Sequence, residues 1–225
     1  MSTYIPALDV RKLYDQFNAP MMDIDCGLKC APHNGGIPVC CDICQAVPAV
    51  YRQEWDFLRQ NTTLWHPWRG DECAAPEDPA GLLAETPEHM LLLACRGVDY
   101  CQREFRALSC RQFPFFPYIT ADYRFLGLAY EWEFEQTCWA ISNLGIVTPA
   151  YRQQFIRTYE TLFALWDEEF ESYALRSSEM RKHFAAQKRR IPLLHRNGGY
   201  YLISPASERL RRVPPERLPR LWRFS

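Results

Sequence analysis

The placement of the cysteines restricts this chain more than any other feature. Ten occur in 225 residues: Cys26, Cys30, Cys40, Cys41, Cys44, Cys73, Cys95, Cys101, Cys110 and Cys138. Five lie between Cys26 and Cys44, three between Cys95 and Cys110, and none follows Cys138. Thiols serving only as small apolar core residues would be scattered instead. Their share is well below the roughly 8–10% of small disulfide scaffolds, and a chain of this length buries about 70% of its unfolded surface without needing staples. The opening MSTYIPALDVRKLYDQF has no basic start followed by an apolar run, so no secretory signal is expected. No apolar run approaches the ~20 residues of a membrane span. The expected setting is the cytoplasm, where thiols stay reduced and disulfides are the weaker account. Clustered thiols there point to a soft metal, either zinc or an iron–sulfur cluster.

The spacing supports chelation. Cys26-Gly27-Leu28-Lys29-Cys30 is followed nine residues later by Cys40-Cys41-Asp42-Ile43-Cys44, and a second cluster holds Cys95, Cys101 and Cys110. Thiols a few residues apart chelate one ion because the loop between them closes at low entropic cost. Adjacent Cys40 and Cys41 are expected to point in different directions, so that only one of them ligates a given ion. A zinc site or a 4Fe–4S cluster needs four ligands; the clustered and flanking thiols exceed four, which leaves room for two sites or for spectators. Such a site is strongly anionic, and Arg96, Arg106 and Arg111 stand beside the second cluster as counter-charges. On a helix, Arg106 and Cys110 would share a face. His33 reads as a solvated loop histidine. Cys73 sits in an acidic, proline-rich insertion over residues 70–88 and is left out of the site.

Other chemistries lack a signature. The chain has no Gly-x-Gly-x-x-Gly, no P-loop and no Gly-x-Ser-x-Gly elbow. A Cys/His nucleophile, from Cys26 or Cys44 with His33 or His66, rests on chance pairing.

The rest of the chain reads as ordinary α+β structure. Val10, Leu13, Tyr14 and Phe17 predict a short amphipathic helix, and Pro48 suits the first turn of another through Tyr51, Trp55 and Leu58. Residues 24–46 show no periodicity and read as loop. Residues 118–130 predict a hairpin turning near Ala121-Asp122. Thr148-Pro149 opens a long helix with an aromatic stripe from Tyr151 to Tyr173. Ser177 or Ser178 caps a further helix to about Arg189, and a second hairpin turns at Asn197-Gly198-Gly199. The expected organisation is a cysteine-cluster metal-binding region over 1–147, a helical segment over 148–190, and a hairpin with a basic Arg/Pro-rich tail over 191–225. Residues 176–225 carry 13 basic and 3 acidic side chains, so 13 − 3 = +10, against a whole-chain charge of −1. That tail suits a protein or other anionic partner; without a nucleic-acid motif, nucleic acid is not expected.

The cysteine pattern resembles the YkgJ-type cysteine-cluster family (CxxCxxCC), whose members are described as zinc- or iron-chelating. Cys26, Cys30 and Cys40-Cys41 correspond to its opening, followed by Cys95 and Cys101. Arg106-Ala107-Leu108-Ser109-Cys110-Arg111-Gln112-Phe113-Pro114 is similar to its Arg-Pro-x-x-Cys-Arg-x-Phe-Pro element, with Ala107 in place of Pro, and Cys138 matches its later Cys. The likeness covers roughly residues 24–140, and the nine-residue gap between Cys30 and Cys40 departs from the pattern. It implies a metal held by Cys26, Cys30, Cys40, Cys41, Cys95, Cys101, Cys110 and Cys138, favouring 4Fe–4S over zinc. Flagellin lysine methylases carry a similar set. Their greater length leaves a protein-modifying enzyme as the alternative, beside a structural zinc module using the basic tail.

Overall fold

The structure is a computed structural model that describes residues 7–72 and 79–222. Cys73 lies outside the described residues. The protein combines helices with antiparallel sheets, an α+β architecture. It divides into two compact units: Met1–Asp15 with Gly27–Gln112, and Gln16–Cys26 with Phe113–Ser225.

In the first unit, α1 (Val10–Gln16) buries Val10, Leu13 and Tyr14, as its periodicity requires. The cysteine-bearing stretch that follows is built from single turns: α2 (Gly27–Cys30) and the 3-10 turns Ala31–His33 and Val39–Cys41. A helix does not begin at Pro48. Strand β1 (Ala49–Tyr51) comes first, because Ala49 and Val50 pair with Leu92 and Leu91, and α3 (Arg52–Asn61) starts after it. β2 (Trp65–Pro67), α4 (Pro79–Glu85), β3 (Met90–Cys95) and α5 (Leu108–Gln112) complete the unit. β3 is the central strand, flanked by β1 and β2. Its Leu93 and Ala94 are fully buried, and its last residue, Cys95, lies opposite Trp65.

The second unit is a five-stranded antiparallel meander, β4 (Phe115–Ile119), β5 (Phe125–Tyr130), β6 (Ile191–His195), β7 (Tyr200–Ile203) and β8 (Leu210–Val213), in that order. Both expected hairpins form. Gly127 sits where β5 meets β6, at φ 147°, and an added Cβ would lie 2.2 Å from the Leu194 carbonyl oxygen. α6 (Pro149–Leu165) is capped by Thr148, whose Oγ1 accepts from the Tyr151 amide at 3.2 Å. Its aromatic stripe is core: Tyr151, Phe155, Tyr159 and Leu162 are buried.

Two expectations for this unit fail. The stripe does not run through one helix, since Trp166 adopts an extended conformation (φ −137°, ψ 108°) and α7 (Asp167–Ala186) begins after it. Ser177 is no cap; it lies inside α7, fully buried, and its Oγ accepts from the Ile119 amide at 2.9 Å, tying the helix to β4. The basic C-terminal segment is folded into the unit as well. Residues 210–213 join the sheet, Val213 and Leu218 are buried, and the Leu221 amide donates to Ser142 Oγ. Among the described residues, no helix is long and apolar enough to cross a membrane.

Candidate metal centre

In the first unit, four separate segments deliver thiols to one cavity. It is lined by Cys40, Cys41, Cys95, Cys101 and Cys110, together with Arg106, Trp65, Leu64, Pro48, Ile43, Gly97 and Val98. Each segment is held by local bonding. Val39, 1% exposed, anchors the 3-10 turn that presents Cys40 and Cys41. Asp42 fastens the loop behind it, accepting from Asn34 Nδ2 and Gln45 Nε2 at 3.2 and 2.8 Å and from the Cys44 amide at 3.1 Å. β3 carries Cys95 to the cavity, and the next amide, that of Arg96, donates to the Leu64 carbonyl at 3.0 Å. Gly97 then turns the chain at φ 99°, a conformation open to glycine, and the Val98–Tyr100 turn returns it at Cys101. Trp65 Nε1 donates to the Phe105 carbonyl at 2.9 Å, pinning the loop that leads to Arg106.

The expectation that Cys40 and Cys41 diverge is overturned. Both line the cavity, with their sulfurs 3.9 Å apart, because the tight 3-10 turn carries both side chains to one side. Cys44 is disulfide-bonded, against the expectation of reduced thiols throughout, and so drops out as a ligand candidate. Cys26, Cys30 and Cys138 are not among the lining residues. Cys30 is buried in the first unit, its sulfur 3.6 Å from the Gly27 carbonyl, while Cys26 and Cys138 belong to the second unit. His33 is exposed in its turn.

Of the three arginines, one faces the thiols. Arg106 Nε donates to Cys101 Sγ at 3.2 Å. It precedes α5 in an extended conformation rather than sharing a helix face with Cys110, yet both line the cavity. Arg96 stacks on Tyr100 at 4.5 Å, and Arg111 lies over the Tyr14 ring at 4.1 Å and donates to the Arg106 and Glu104 carbonyls. The electrostatics follow from this crowding. Burial, then the neighbouring Cys95 and Cys41, push the Cys110 thiol far above the ordinary cysteine range. Burial likewise raises Cys95, reinforced by Cys41 and Cys101. Although burial alone would lower it, the Arg106 guanidinium is held above its ordinary value by Cys101, with Cys41 and Cys40 adding to the effect. Thiolates gathered this closely repel one another unless a cation stands among them.

Sequence reasoning missed Glu54. It lies on the buried face of α3, 1% exposed. Its Oε1 accepts from the Tyr14 hydroxyl and the Leu108 amide, both at 2.6 Å, and its Oε2 from the Tyr51 amide at 3.4 Å. One carboxyl thereby joins α1, the end of β1 and the start of α5, two residues before Cys110. The signal was a glutamate at the apolar spacing of Tyr51, Trp55 and Leu58.

Among the described residues, no group of three or more His, Cys, Asp or Glu side chains is placed to hold a metal ion. Five cysteines nonetheless line one cavity, and one of them accepts a bond from a guanidinium. Comparison with family models, with curated proteins and with solved structures returns no match.

Proposed function

We propose that the first unit is a metal-binding module in which four of Cys40, Cys41, Cys95, Cys101 and Cys110 hold a thiolate-liganded centre. The observation that carries this reading is the convergence of five thiols from four chain segments on one cavity, with Arg106 bonded to Cys101. Four ligands satisfy either a 4Fe–4S cluster or a zinc ion, so one of the paired Cys40 and Cys41 is the natural spare. The resemblance to the YkgJ-type cysteine-cluster family points the same way. An iron–sulfur cluster is the favoured occupant, because every donor is sulfur and Arg106 offsets the negative charge; bound there, it would supply one-electron chemistry. Zinc is the second reading. It is favoured by the small volume of the cavity, about 40 Å³.

Anaerobic purification followed by metal analysis, acid-labile sulfide determination and a visible spectrum tests this. A brown protein with broad absorption near ~400 nm and sulfide matching its iron supports the cluster. A colourless protein holding one zinc per chain supports the second reading. A metal-free preparation whose five thiols all react with a thiol reagent overturns both.

A further inference from the structure

The basic C-terminal portion of the second unit contains two different populations of arginine. Four are neutralised within the unit: Arg176 by Glu131 at 2.5 Å and Glu133 at 2.8 Å, Arg181 by Glu208 at 2.9 Å, Arg189 by Glu135 at 2.7 Å, and Arg196 by Glu160. Arg209, Arg211 and Arg212 are different. All three are exposed and, among the described residues, have no carboxylate partner. Glu208 next to them is already taken by Arg181, leaving Glu216 as the exposed acid nearby in sequence.

These arginines stand on or beside β8, the last strand of the sheet. It pairs with β7 on one side and has no strand partner on the other among the described residues. A strand edge presents unpaired backbone N–H and C=O groups to any extended chain. Alternation along the strand places Arg211 and Arg212 on opposite faces of that edge. At its end lies an open groove of about 490 Å³ formed by Gly198, Gly199, Tyr200, Arg212, Val213, Pro214 and Pro215. Gly198 in its wall has nothing within 4 Å of where a Cβ would stand, which leaves that side of the groove open to a close approach. Beneath the Tyr200 ring, 4.8 Å away, lies the guanidinium of Arg152. It is 5% exposed, donates to the His195 and Gly199 carbonyls, and leaves its Nε without a partner.

We propose that β8 is a docking edge for an extended acidic peptide, which adds to the sheet as a sixth strand and seats a side chain in the Tyr200–Pro215 groove. Three free positive charges on one edge repel a second copy of the same edge and attract a strand of opposite sign, which selects the partner. A peptide fits better than a nucleic acid because the edge offers a hydrogen-bonding ladder that only another polypeptide backbone completes.

Fluorescence anisotropy on the full chain tests this with a labelled eight-residue peptide alternating Glu with Val. Expected are saturable binding, weakened at least tenfold by R209S/R211S/R212S, and a similar loss when two valines of the peptide become proline. Equal binding of the proline peptide would reduce the effect to bare charge and overturn the proposal. So would the absence of peptide binding, or tighter binding of a single-stranded oligonucleotide of the same charge.

Discussion

Glu54→Ala is the most informative single change in the first unit. The glutamate accepts two bonds at 2.6 Å, from the Tyr14 hydroxyl and the Leu108 amide, in a site 1% exposed. Alanine leaves both donors buried without an acceptor, at ~1–3 kcal/mol each. The expected loss is therefore about 4 kcal/mol, a large part of the ~5–15 kcal/mol that holds a typical domain. In urea, with a slope of about 2 kcal/mol per molar, the midpoint of the first unit falls by about 2 M. Glu54→Gln keeps Oε1 as acceptor for both short bonds and disturbs only the 3.4 Å contact with the Tyr51 amide, so its loss is about 1 kcal/mol at most. The two variants also separate by pH. Burial raises the Glu54 pKa above its ordinary 4.5, outweighing the hydrogen bonds that lower it. A raised folded-state pKa contributes stability that is complete below the unfolded value, near pH 4.5, and lost as pH rises through the folded one. The stability of Glu54→Gln relative to the native chain must then climb as pH rises above 4.5. Urea titrations across that range, followed by near-UV circular dichroism, measure both effects. A flat difference with pH, or a Glu54→Ala loss under about 1 kcal/mol, would refute the reasoning.

Other changes probe the two units separately. Cys101→Ser and Cys110→Ser should each remove most of the bound metal by elemental analysis. Ser109→Ala should leave it intact, because Ser109 Oγ is buried without a partner and its loss orphans nothing. Arg106→Ala should weaken metal retention in a chelator competition by about 10-fold or more, with Arg106→Lys intermediate, since it takes away the donor to Cys101. Gly127→Ala should cost about 3 kcal/mol or more by thermal unfolding, because its Cβ would collide with the Leu194 carbonyl where β5 meets β6. Thr148→Ala should cost about 1 kcal/mol in the same assay, through loss of the bond to the Tyr151 amide at the start of α6.

What the sequence alone determined is the structure governed by neighbours in the chain. The helix cap at Thr148-Pro149, the hairpin turns near Ala121-Asp122 and at Asn197-Gly198-Gly199, and the buried face of α1 all follow from local spacing. The thiol clustering was equally legible, and so was the presence of an arginine beside the second cluster. Tertiary structure decided the rest, because those choices are made between segments far apart in the chain. Periodicity carries on through Trp166, while the backbone breaks there and restarts as α7. Ser177 is suited to a cap, yet packing places it mid-helix against β4. An Arg-rich tail looks solvated until the free edge of β7 recruits residues 210–213 as a strand. The meeting of five of the nine described cysteines at one cavity, and the buried carboxyl that ties down the start of α5, depend on which loops meet in space; spacing along the chain carries no information about that meeting.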